Sequence, residues 1–143
     1  MRTPALLSAT SVLAAIQGTA HGASFLTAKP RNGAVEVAVI DAMKANAFAF
    51  GGATRSYWDF YTGYGIEAAA VCIIEAAIIW QLANLAAIRP ALVRPTLLIL
   101  AFANVAHVAL IWRYFFYLPA VFDAAIAAGL VCALIVAVPA QST

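Results

Sequence analysis

YGIEAAAVCIIEAAIIWQLANLAAI, residues 64–88, is 25 residues long and holds two charged side chains, Glu67 and Glu75. At a helical rise of ~1.5 Å per residue, about 20 mostly apolar residues cross the hydrocarbon core of a bilayer. The run therefore predicts a membrane-spanning helix. Its two acids are the exception that calls for a reason, because an ionisable group inside a span costs about 2.5–3.5 kcal/mol on insertion scales.

Three further segments have the same character. One lies before this run, Pro4 to about Thr27, rich in Ala, Ser, Thr and Gly. Two follow it, Pro95 (or Ala91) to Tyr117 and Leu118 to about Val138. Pro30, Pro90, Pro95, Pro119 and Pro139 stand near the ends, where proline disturbs a helix least. Arg89-Pro90 and Arg94-Pro95 make one connection short, and Tyr117-Leu118-Pro119 makes the next shorter. Short connections force antiparallel neighbours. The expected fold is all-α: four transmembrane helices in an up-down-up-down bundle, forming one domain over residues 1–143.

Composition agrees. Hydrophobic residues make up 65% of the 143 residues, charged residues 10%, and the mean hydropathy is +0.93. Eight Lys/Arg and six Asp/Glu are too few to cover a soluble domain of this size. A net charge of +2 without a basic stripe excludes a nucleic-acid partner. Cys72 and Cys132 sit in apolar runs without a C-x-x-C spacing, so they read as small core residues.

The first segment has two readings. Met1-Arg2, an apolar stretch and Ala20-His21-Gly22-Ala23 resemble a cleaved secretory signal. Its length of about 24 residues and the Gly18/Gly22 pair, which permits close helix packing, favour a retained helix.

Residues 28–63 carry mixed charge. Val35, Val39, Ile40, Met43 and Phe48 recur at helical spacing, with Glu36, Asp41 and Lys44 on other faces. The segment reads as an amphipathic interfacial helix, with a short strand at Val35-Glu36-Val37 as the alternative. An aromatic loop follows, Arg55-Ser56-Tyr57-Trp58-Asp59-Phe60-Tyr61 and on to Gly65. It reads either as an aromatic belt at headgroup level or as a lid over a pocket, with Arg55, Tyr57, Trp58, Asp59 and Tyr61 as lid residues. Lys29, Arg31, Lys44, Arg55 and Arg113 fall on the side of this connection, against Arg2, Arg89 and Arg94 opposite. The excess favours a cytoplasmic long connection, although Glu36, Asp41 and Asp59 offset it.

The polar groups within the spans define a candidate site. At about 100° per residue, Thr96, Leu100, Asn104, His107 and Tyr114 share one helical face, and Thr10, Ala14, Gln17, Gly18 and His21 share another. Glu67, Glu75 and Gln81 fall within about 120°. Turned inward, these arcs predict a polar pocket of His21, Glu67, Glu75, Asn104, His107 and Tyr114, with Asp123 either closing it or pairing with Arg113. Four roles are open to it. The first is a pocket for a small hydrophobic or amphipathic, lipid-like ligand, in which a Glu and a His move a proton. The second is a metal or haem site, which the spacing disfavours. His21 and His107 differ in depth by about six residues, ~9 Å, and no E-x-x-H pair is present, so neither metal nor cofactor is expected. The third is plain hydrogen bonding between helices, in a non-catalytic protein that associates with a membrane partner or a second copy of itself, for example through Ala120, Ala124 and Ala128. The fourth is transport, for which four helices make a narrow path.

Met43, Phe48, Phe50, Gly51 or Gly52, the run Arg55 to Tyr61 and Gly63-Tyr64-Gly65 resemble a signature of small, uncharacterised four-helix inner-membrane proteins of bacteria. Trp80-Gln81-Leu82, Arg113-Tyr114-Phe115-Phe116 and Pro119 fit the same pattern, over about two-thirds of the chain. In size and layout the chain is also distantly similar to DoxX-like membrane proteins. The resemblance implies four helices and a bacterial inner membrane, and brings no activity. His21 and Glu75 lie outside the pattern.

Overall fold

The structure is a computed structural model and describes residues 2–137. It is all-α, 84% helical, apart from one small hairpin. The elements are α1 (Arg2–Leu26), α2 (Ala34–Ala45), β1 (Ala47–Phe50), β2 (Ala53–Ser56), α3 (Tyr57–Ile88), α4 (Pro90–Tyr114) and α5 (Tyr117–Val136). Among the described residues, three helices are long and apolar enough to cross a membrane: α3, α4 and α5. α1 has the length, 25 residues, but carries Thr3, Thr10, Ser11, Gln17, Thr19, His21 and Ser24, and is not among them. The three apolar helices leave large side chains on the outside, with Phe102 77% and Trp112 76% exposed. Lipid is the solvent that suits such a surface.

The described residues form two compact units, one of residues 2–17 with 72–137, the other Gly18–Val71. In the first, four helical segments share one core. Leu7 and Ala14 come from α1, Ala76, Ile79, Leu82, Ala83 and Ala86 from α3, Val93, Leu97 and Ala101 from α4, and Ile126, Leu130 and Ala133 from α5. Six of these thirteen positions are alanine, and small side chains let helix backbones approach closely. Ser11 Oγ adds a bond across this core, donating to the Ala76 carbonyl at 2.7 Å. Of the alanines marked out for a docking patch, Ala120 is buried, while Ala124 and Ala128 are exposed.

In the second unit the structure departs from the sequence expectation. The segment Tyr57–Gly63 is not a loop but the start of α3, which begins seven residues before the expected Tyr64. The cause is a capping box. Ser56 N–H donates to Asp59 Oδ2 at 2.8 Å, and Asp59 N–H donates to Ser56 Oγ at 3.1 Å. Two amide donors of the first turn are thereby satisfied, and the helix starts there. Before it, β1 and β2 pair antiparallel with Phe50 opposite Ala53. Gly51 and Gly52, at φ 58° and 81°, make the turn, and positive φ at both positions is what glycine permits. The strand considered at Val35–Val37 is instead part of α2, where Glu36 Oε2 accepts the Arg31 and Asn32 amides at 2.6 Å each.

The remaining boundaries also shift. α4 starts at Pro90, which lacks only an amide that the first turn would leave unpaired, and continues through Pro95. It ends at Tyr114, and Phe115 and Phe116 are extended, so the tight connection lies there rather than at Tyr117–Pro119. Pro119 is the third residue of α5, still among the amides that need no helical partner. Val138 and Pro139, expected at the end of the fourth segment, lie outside the described residues.

Candidate functional site

Two polar assemblies emerge, one in each unit. The first is built by α1, α3, α4 and α5. Asn104 lies on the buried face of α4 because 97, 101, 104 and 111 follow helical spacing. Its Nδ2 donates to Glu75 Oε1 of α3 in a short hydrogen bond, and to the Leu100 carbonyl at 3.0 Å. Asp123, on the inner face of α5 with Ala120, Ile126, Ala127 and Leu130, is 3% exposed. Its Oδ1 accepts Gln17 Nε2 at 2.9 Å and lies 3.5 Å from His107 Nδ1. The His107 side chain is 49% exposed, so it joins a buried carboxylate to the outside of the unit. Asp123 Oδ2 and Gln17 Oε1 are buried and have no hydrogen-bond partner among the described residues.

The second assembly is aromatic. From α1, His21 packs on Phe25 at 5.1 Å between ring centroids, and Phe25 on Tyr61 of α3 at 5.3 Å. Tyr61 packs on Trp58 at 5.5 Å, and Lys44 Nζ stands 5.2 Å from the Trp58 ring. A second row runs from Tyr57 to Phe48 of β1, then Phe60 and Tyr64. Beside these rows lie two open grooves. One, of about 350 Å³, is lined by Arg55, Asp59, Phe60, Gly63, Tyr64 and Glu67. The other, of about 450 Å³, shares Arg55, Asp59 and Gly63, and adds Trp58, Thr62 and Ile66. The Thr62 hydroxyl in its wall is buried without a hydrogen-bond partner.

The structure thus joins Glu75 with Asn104 and His107 with Asp123, in the first unit. His21 and Glu67 belong to the second, with Arg55, Tyr57, Trp58, Asp59 and Tyr61 of the expected lid. Tyr114 is 70% exposed and faces its neighbour Arg113, whose guanidinium lies 5.2 Å from its ring. Sequence reasoning put Gln17 on the polar face of the first segment without assigning it to the site. It also passed over Phe60, Thr62, Gly63 and Tyr64. The Ser56-x-x-Asp59 capping box was the signal that would have put these residues on helical faces. Chemically, the first assembly can hold and exchange a proton or cation within the helices. The second can receive a molecule that is part polar and part apolar. The chain matches no protein-family model, no curated protein and no solved structure.

Proposed function

We propose that this multi-pass membrane protein binds a small hydrophobic or amphipathic molecule, with the molecule's polar end in the groove beside β2 and the first turns of α3. The observation that carries this reading is the groove of about 350 Å³ and its lining. Arg55, Asp59 and Glu67 offer charge of both signs, and Phe60 and Tyr64 offer apolar faces. Ligand sites of about 300–1,000 Å³ with a few polar groups among apolar ones are the common pattern. The unpartnered Thr62 hydroxyl in the adjoining wall is a further hydrogen-bond donor for such a molecule.

In the same reading α1 is a fourth span, the helices run up-down-up-down, and α2 and the hairpin lie at the interface. The membrane is the bacterial inner membrane that the sequence signature implies. No reaction is assigned.

Gly63 supplies the test. It lines both grooves, and a Cβ added to it meets no atom within 4 Å, so the Gly63→Leu side chain starts from open space beside the grooves, and the melting temperature checks that the packing holds. The full chain, purified in mild detergent, is compared with Gly63→Leu by native mass spectrometry and thermal melting. The expected result is a retained adduct that the variant loses while its melting temperature holds. An adduct unchanged in the variant, or none in the unaltered protein, refutes the reading.

A further inference from the structure

Gln17 and Asp123 are planar groups held by one hydrogen bond, Nε2 to Oδ1 at 2.9 Å. The remaining oxygen of each, Gln17 Oε1 and Asp123 Oδ2, is buried and unpartnered. Both are acceptors, so neither can satisfy the other. Turning the amide does not help, because its oxygen would then face Asp123 Oδ1 in place of the donor. The only basic side chain within 4 Å among the described residues is His107, at 3.5 Å, and it stands against the oxygen that already has a partner. A buried carboxylate with one bare oxygen is among the most expensive arrangements a helix bundle can hold.

We propose that Asp123 and Gln17 form a binding site for one small monovalent cation, which sits against Asp123 Oδ2 and Gln17 Oε1. One positive charge there satisfies both bare oxygens and neutralises the carboxylate. Two sources have this chemistry, a sodium ion and a proton. A sodium ion is ligated by both oxygens. A proton bonds to Oδ2 and is donated to Oε1, closing a ring of two hydrogen bonds between acid and amide. The other titratable groups around the site are His107 of α4, 3.5 Å from Asp123, and Cys72 and Glu75 of α3, close enough for their charges to be felt within this cluster. Glu75 is engaged by Asn104. His107, half outside, is the route by which a charge reaches Asp123. The site is separate from the groove and does not depend on a ligand there.

The test uses the full chain in detergent micelles, with Asp123→Asn and Gln17→Leu. Asparagine keeps the shape and brings its own N–H to the bare side, so it removes the need for a cation. Leucine removes the amide oxygen and serves should the asparagine variant fail to fold. In the sodium arm, replacing choline chloride by sodium chloride at equal ionic strength raises the melting temperature by a few degrees, and both variants lose the response. In the proton arm, infrared spectra in sodium-free neutral buffer show the carbonyl stretch of a protonated acid, and Asp123→Asn removes it. Either result supports the site. Absence of both the sodium response and the acid band overturns it, and leaves Asp123 as a carboxylate held by Gln17 and His107 through Oδ1 only.

Discussion

A Cβ atom placed on Gly129 of α5 would overlap the Thr10 hydroxyl of α1, which is already committed to the Leu6 carbonyl at 2.9 Å. The two helices meet there at a distance that only glycine allows. Thr10 is 5% exposed, so its side chain has little room to turn away.

This contact ranks three glycine-to-alanine variants. Gly129→Ala should destabilise the protein, because overpacking costs about 1–3 kcal/mol, more than the ~1 kcal/mol that alanine gains over glycine in a helix. Gly22→Ala should be milder, since its Cβ would stand 3.2 Å from the Ala69 Cβ and a small separation of the backbones relieves it. Gly63→Ala should be neutral or stabilising, with open space around it. Thermal melts in detergent check the order. Adding Thr10→Ala to Gly129→Ala should restore most of the loss, and a double variant no better than the single would show that another contact is responsible.

The Asn104–Glu75 bond predicts an asymmetry between its two ends. Asn104→Leu leaves the Glu75 carboxylate without its donor in a half-buried position and should cost about 1–3 kcal/mol. Glu75→Gln keeps an acceptor for Asn104 and should cost less than about 1 kcal/mol, near the ~0.6 kcal/mol average of polar bonds between membrane helices. Unfolding in mixed micelles measures both. Equal losses would mean that charge, not hydrogen bonding, holds the pair.

Glu36 gives a pH prediction. The amides of Asn32 and, next, Arg31 donate to its carboxylate and hold its pKa below the ordinary 4.5. The folded pKa is lowered, so the stabilisation of the α2 start is complete above pH 4.5 and is lost as pH falls through the depressed value. Protection of the Arg31 and Asn32 amides, measured relative to the intrinsic exchange rate at each pH, should therefore fall only on acidification below that range. In Glu36→Gln the acid step should vanish, and a step that persists would assign it to another carboxylate.

Asn104 and Thr62 mark the limits of what the sequence shows of the candidate site. Asn104 lies on one helical face with Thr96, Leu100 and His107 in an apolar run, and that periodicity marked it for the interior before any contact was known. Thr62 could not be placed the same way, because the segment around it was read as a loop and a loop has no faces. The capping pair Ser56 and Asp59, three residues apart, was the overlooked cue, and Gly51-Gly52 was likewise the unread cue to the hairpin.

Sequence alone determined that this chain is helical and suited to a membrane, since length and oiliness of a run are properties of consecutive residues. It also marked His21, Glu67, Glu75, Asn104, His107 and Asp123 as groups needing partners, because hydrocarbon penalises a polar group wherever its helix stands. Tertiary structure decided which partner each receives: Asn104 for Glu75, and Gln17 with His107 for Asp123. Helical periodicity fixes the direction of a side chain about its own axis. Which residue meets it across the gap depends on the rotation and axial offset of two helices, and here small residues such as Gly129 against Thr10 set how closely they approach.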